Sequence, residues 1–333
     1  MRINAIYSDR HFQKWPSHQI VYEWEDEIAK GLGIKIVESP IPKQNIFRLI
    51  TKIAEKIFKN DLTSLGELLS GRKNFYLYFS MYPMQFVSFS NRERAIPIII
   101  DFWIKDIQLF DKYYQKCSLV LISSKEVYTF LKENNSKVNI KHFPLSLPSK
   151  YQGAISEKKR DIDVIVLGRK NEILWDYLQQ YEKENPEIEY VFQVQIDGRL
   201  KYKSNKRGII GDFHEREDYM QLANDSKVAL YGTPGIDGGE QRTNGFNPVT
   251  PKYLEFIAAG CTVMARYPKN DDTDFYQMNN QGASIDTYIE FKKQLDTRLK
   301  NYDKQSNDAI NEYLNKHNTK ARIELLKSSF TFN

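Results

Sequence analysis

The stretch that most constrains how this chain can fold is VALYGTPGIDGGEQRTNGFNPVTPKYLEFIAAGCTVM, residues 228–264. The apolar run from Val228 to Tyr231 has the length and composition of a buried strand. A long loop follows, carrying Gly232, Gly235, Gly238, Gly239 and Gly245. Thr250 is suited to cap a helix and Pro251 to fill its first position, so residues 251–259 are predicted helical. Gly260 stops that helix, and residues 261–264 read as the next short strand.

A strand, a glycine-rich loop and a helix start together form a device for holding phosphate. Glycines let the backbone approach a ligand closely. The first turn of a helix offers unpaired N–H groups and the positive end of its dipole. Arg242 and Lys252 add positive charge beside that position. Glu255, one turn further in, is placed to accept two hydrogen bonds from a ribose diol. An ordinary connection with a long surface loop is the competing reading, but glycine-rich loops of this length are uncommon without a function.

The segment TPKYLEFIAAGCTVMARYP resembles the nucleotide-sugar-binding segment of GT-B glycosyltransferases, which reads P-x-K-x-x-E-x-x-A-x-G before an apolar strand. The resemblance implies that Glu255 binds the donor ribose and that Thr250 and the backbone after it face the donor diphosphate. Many retaining members carry a second glutamate eight positions earlier, where this chain has Asn247, so the resemblance does not fix the stereochemical class.

Composition bounds the rest. A chain of 333 residues suits two domains, and 41% hydrophobic with 27% charged residues is a globular balance. No apolar run approaches the roughly 18 residues of a membrane span, and the N-terminus has no signal-like hydrophobic stretch. Cys117 and Cys261 match no metal spacing, so a reducing cytoplasm is the expected compartment. Charge is uneven: residues 1–160 hold 25 Lys and Arg against 16 Asp and Glu, within a net charge of +5. A basic first half suggests an acidic partner on that side.

In chain order, residues 2–7 read as a first strand, 20–32 as a helix and 34–37 as a second strand. His11 and His18 fall near the first strand-to-helix loop, where open α/β sheets place ligands, although either also fits a surface loop. Residues 43–60 form a basic amphipathic pattern that suits either the domain core or an anionic membrane. Residues 74–79 and 94–100 read as strands. Asp101, at the carboxyl end of the latter, is a candidate general base toward an acceptor hydroxyl. It equally suits the N-cap of a helix over 102–110. A strand at 119–124, a helix at 125–132 and an edge strand at 140–144 precede a polar linker over 147–160.

The pattern restarts with a strong strand at 161–167, followed by Gly168-Arg169-Lys170. The resemblance implies that a cation in this turn meets the donor diphosphate, Arg169 first and Lys170 as its substitute. Asp161 and Asp163 mimic a metal-binding pair but fall at the strand start and read as structural, and no metal is expected. A helix over 173–184, a strand over 190–196, and a helix over 215–224 follow. The resemblance makes Asp212, Phe213 and His214 candidate base contacts. Residues 310–330 read as one continuous helix.

The expected architecture is therefore α/β, two Rossmann-like domains facing across a cleft. Residues 1–148 form the acceptor side and 160–309 the donor side, while the resemblance implies that 310–333 form a helix crossing back to the first domain. The expected function is sugar transfer from a nucleotide-sugar of UDP or GDP type to a glycan or lipid-linked acceptor. The resemblance points to bacterial surface polysaccharide assembly, in the cytoplasm or peripheral on the inner face of the plasma membrane. No cofactor beyond the donor is expected. A nucleotide-sugar epimerase and a non-catalytic binder of anionic ligands are the alternatives. For the latter, neither an arginine-rich run nor a recognition motif supports nucleic acid. The chain has no P-loop, G-x-S-x-G or HExxH.

Overall fold

The computed structural model describes residues 1–10, 18–38, 75–81, 93–153, 159–212, 215–302 and 307–332. His11, residues 43–60, Phe213 and His214 lie outside them. Two compact units result, Met1–Pro148 with Thr319–Asn333, and Ser149–Asn318.

The first unit begins with β1 (Arg2–Ser8), α1 (Gln19–Leu32) and β2 (Lys35–Glu38). It continues with β3 (Phe75–Ser80), β4 (Ala95–Ile99), α2 (Ile107–Tyr114), β5 (Val120–Ile122), α3 (Lys125–Glu133) and β6 (Ile140–His142). Its sheet is parallel in the order β1-β3-β4-β5-β6, and β2 also pairs with β1. FYLYFS and AIPII are buried almost throughout, as strands covered on both faces require. Pro97 is tolerated in an inner strand because the β4–β5 ladder begins only at Ile98, so the missing N–H falls before it. One face of α1, with Ile20, Trp24 and Ile28, packs on Ile3, Ile6 and Leu77. α1 ends at Gly33, whose φ of 68° is the left-handed cap that favours glycine.

The second unit runs β7 (Ile162–Val166), α4 (Glu172–Glu184), β8 (Tyr190–Ile196), β9 (Arg199–Ser204), β10 (Gly208–Gly211) and α5 (Arg216–Asn224). Then come β11 (Ser226–Gly232), α6 (Pro251–Ala258), β12 (Thr262–Arg266), α7 (Asp271–Phe275), α8 (Tyr288–Lys300) and α9 (Asn307–His317). Its sheet order is β10-β9-β8-β7-β11-β12. Strands β8, β7, β11 and β12 are mutually parallel, whereas β9 and β10 add an antiparallel extension. Val164, Leu178, Val228, Met264 and Phe291 fill its core.

Two expectations are corrected. The stretch 310–330 is two helices: α9 stops before Asn318, and α10 (Thr319–Ser329) resumes in the first unit, followed by β13 (Thr331–Phe332), which pairs with β1. At the break the Asn318 amide donates to Gln152 Oε1 at 2.8 Å, and the Thr319 N–H donates to the Leu147 carbonyl at 2.9 Å. The helix expected at 102–110 starts only at Ile107, because Asp106 rather than Asp101 caps it, accepting from the Leu109 N–H at 2.9 Å. The hairpin β8–β9 is missing from the sequence reading although Asp197-Gly198 is a strong turn signal, with both residues at positive φ.

Candidate functional site

In the second unit the chain goes from β7 to β8 on one side, then returns to β11 on the other side of β7. An open α/β sheet places its ligand crevice at such a reversal, beyond the carboxyl ends of the strands. The two segments that leave those ends are the turn Gly168-Arg169-Lys170 after β7 and the glycine-rich loop after β11.

Gly168 sits at φ 66°, a backbone conformation that favours glycine, and a Cβ there would lie 2.7 Å from Lys252 Nζ, the flexible end of that side chain. Lys252, in the first turn of α6, thus lays its ammonium against the β7 turn. Burial pushes its pKa down to about 8, opposed by Glu255 and reinforced by Arg169. Arg169 is ion-paired with Glu240, and Arg242 Nε lies 3.1 Å from the same carboxylate. Three cations therefore converge near the start of α6, two of them held by one glutamate from the loop. Lys170 turns away from this group, over the rings of Trp175 at 4.0 Å and Phe192 at 4.7 Å. Burial lowers its pKa, with Glu172 opposing.

Thr250 takes the N-cap position of α6, but its side chain makes no capping bond. Its N–H donates to the Tyr231 hydroxyl at 2.9 Å, and its own hydroxyl lies 3.3 Å from that oxygen. The first-turn N–H groups of α6 are left without a side-chain cap, the arrangement an anion can use. The loop itself is pinned. Asp237 accepts from Arg266 Nε and Nη2 at 2.7 and 2.8 Å and from the Asn171 amide at 2.9 Å. Asn247 accepts the Thr233 hydroxyl at 3.1 Å and donates to the Gly245 carbonyl at 3.1 Å, so it serves the loop's own shape.

Glu255 is 4% exposed, and Arg216 Nη2 donates to its Oε1 at 2.7 Å. The Tyr219 hydroxyl also hydrogen-bonds this carboxylate, which helps burial to hold the Tyr219 phenol far above its ordinary range. The Arg216 guanidinium rests 5.5 Å from the Tyr151 ring. The sequence reading missed Arg216, Tyr219 and Glu240. A signal existed for Arg216: a cation opening a helix opposes the dipole and calls for a partner.

In the first unit, Asp101 lies just beyond the carboxyl end of β4, half-buried, its N–H donating to the Met81 carbonyl at 3.0 Å. A second group sits where β1 ends between β2 and β3, the reversal point of that sheet. There the Tyr78 hydroxyl donates to Asp9 Oδ2 at 2.8 Å, and Ser8 Oγ and Arg10 Nη2 donate to Glu25 Oε2 at 2.5 and 2.9 Å. Asp9, Glu25 and Tyr78 line a small pocket with His18, which is 4% exposed rather than a surface-loop residue. Neither ring nitrogen of His18 has a hydrogen-bond partner among the described residues. Burial lowers the His18 pKa against the pull of Asp9, and burial raises Glu25 to about 7.

No family model matches the sequence, and no curated protein matches it. Solved structures do. The chain is similar to sucrose-phosphate synthase from Thermosynechococcus elongatus at a TM-score of 0.56 and 11% identity, over 99% of this chain and 98% of that one. The pneumococcal O-GlcNAc transferase GtfA, solved with UDP and GlcNAc, gives 0.48 and 13% over 80% of this chain, which spans only 58% of that protein. The spinosyn rhamnosyltransferase SpnG, complexed with thymidine diphosphate, gives 0.43 and 9% over 98% and 100% of the two chains. The first of these likenesses carries the fold, and the chain has the two α/β units of the GT-B class that its 250–268 segment resembles.

Proposed function

We propose that this protein is a glycosyltransferase that binds a nucleotide-sugar of UDP or GDP type on its second unit. The observation that carries the reading is the approach of Lys252 to Gly168 at the uncapped start of α6, on the carboxyl edge of the sheet. An acceptor hydroxyl oxygen attacks the anomeric carbon, the bond from that carbon to the diphosphate oxygen breaks, and the diphosphate leaves with the electron pair. Lys252, Arg169, Arg242 and the dipole of α6 supply positive field where that charge develops, without calling on a metal ion. Glu255 holds the ribose, while His214, the expected base contact, lies outside the described residues.

The acceptor is a glycan or lipid-linked sugar on the first unit, in a bacterial surface-polysaccharide pathway at the inner face of the membrane. Its proton passes to a group on that unit. Asp101 is one candidate. His18 is better supported, since burial keeps its imidazole neutral and its nitrogens lack partners among the described residues.

The test is release of nucleoside diphosphate from a panel of nucleotide-sugars, with and without glycan and lipid-linked acceptors. The reading expects release that depends on an acceptor and a product carrying the sugar. Donor consumed without any acceptor identifies an epimerase instead, and no consumption under any condition contradicts both.

A further inference from the structure

The hairpin of the second unit has a face that the donor site does not use. The ladder pairs Val166, the end of β7, with Phe192, so β8 continues four residues beyond its neighbour. At ~3.3 Å per residue this is an overhang of roughly 13 Å. Asp197 and Gly198, at φ 50° and 74°, turn it into β9, and β10 adds a third strand.

The register sets Ile196 opposite Arg199, Val194 opposite Lys201, and both Phe192 and Ile209 opposite Lys203. Opposed residues share a face, and so do residues two apart along a strand. One face of the extension therefore carries Arg199, Lys201 and Lys203 down its middle strand, flanked by Val194 and Ile196 on one side and Ile209 on the other. Ile196 and Ile209 are 36% and 46% exposed. Among the described residues none of these three cations is ion-paired. The hairpin's one acid, Asp197, is in the turn. At the foot of the face Lys170 covers Phe192, so a fourth positive charge continues the row to the turn after β7.

We propose that this three-stranded face docks on an anionic lipid bilayer. The unpaired cations, about 7 Å apart along β9, match a surface of negative headgroups. The aliphatic side chains between them have acyl chains to enter, as on amphipathic interfacial helices. Nucleic acid fits less well, because Phe192, the aromatic of this face, is half-buried beneath Lys170 rather than open to stacking bases. Docking here brings the bilayer beside the Gly168–Lys170 turn. The surface is separate from residues 43–60, and the proposal stands whether or not the protein transfers sugar.

Full-length protein is sedimented with vesicles of phosphatidylcholine alone and of phosphatidylcholine with phosphatidylglycerol, at low and high salt. Wild type is expected to bind only the anionic vesicles, more weakly as salt rises. The variant Arg199→Ser, Lys201→Ser, Lys203→Ser should bind roughly 100-fold more weakly, at about fivefold per cation. Ile196→Ser with Ile209→Ser should weaken binding at least about fivefold while leaving its salt dependence intact. If the triple variant fails to fold, Lys203→Glu alone should still cost at least about fivefold. Wild-type binding by these variants at an unchanged melting temperature overturns the proposal. So does a wild type that captures single-stranded RNA or an acidic peptide but no anionic vesicle.

Discussion

At the scale of single residues, Glu255 and Lys252 decide how the donor site behaves. Glu255 and Arg216 are 5% and 10% exposed at their side chains, so removing one strands the other inside the protein. Glu255→Ala should lower stability by about 3–5 kcal/mol as well as nucleotide affinity, whereas Arg216 left in place with Glu255→Gln should separate the two effects. Chemical denaturation read beside nucleotide titration checks this. Lys252 gives a pH signature. With a folded pKa near 8, it is charged below that pH and loses its proton above it. Affinity for a nucleoside diphosphate should fall as pH rises through about 8, toward the value for Lys252→Met. Lys252→Met should remove the dependence, measured by calorimetric titration from pH 6 to 9.5. Lys252 and Glu255 were legible in the sequence because their spacing on one helix is local. Arg216 and the pairing of Glu240 with Arg169 were not, since those partners lie far along the chain. His18 falls near its strand-to-helix loop in sequence, but its pocket also needs Tyr78 on the distant β3 and Met81 just after it.

At the scale of elements, α6 and α4 behave oppositely at their first residues. Thr250 looks like a cap in sequence, yet its hydroxyl faces Tyr231, while Asn171 accepts the Leu174 N–H at 3.0 Å and also holds Asp237. Thr250→Ala should therefore change stability by less than about 0.5 kcal/mol, where a working cap loses about 1 kcal/mol. Asn171→Ala should lose about 1–2 kcal/mol, because a cap and a loop tether go together. Thermal melts of both variants distinguish these outcomes, and equal losses would mean that Thr250 caps α6 after all. Apolar runs such as AIPII and IDVIV announced the inner strands plainly. The β9–β10 extension escaped because Arg199, Lys201 and Lys203 give it the composition of a solvated loop, and only the Asp197-Gly198 turn betrays it.

At the scale of the whole molecule, the chain builds two sheets with separate cores, and each sheet reverses its strand order where polar side chains gather. Titration is part of that design. Glu25, raised to about 7 from an ordinary carboxylate value, stays protonated in the folded chain while the unfolded chain has already released its proton. Stability should therefore fall as pH rises from about 4.5 to 7, and Glu25→Gln should flatten that slope in urea melts. The repeat of strand and helix made two α/β units legible; the return of residues 319–332 to the first unit was written in no local pattern, since it depends on packing such as Ile323 against Gly31. The central claim, a nucleotide site at the reversal of the second sheet, is tested most directly by thermal shift with UDP, GDP, ADP and CMP, each with and without magnesium. A ligand that binds only the folded state raises the melting temperature by mass action. One nucleoside diphosphate should stabilise the wild type, equally well without magnesium, and should fail to stabilise Lys252→Met to the same extent. No response to any nucleotide, or an equal response from Lys252→Met, would contradict the account.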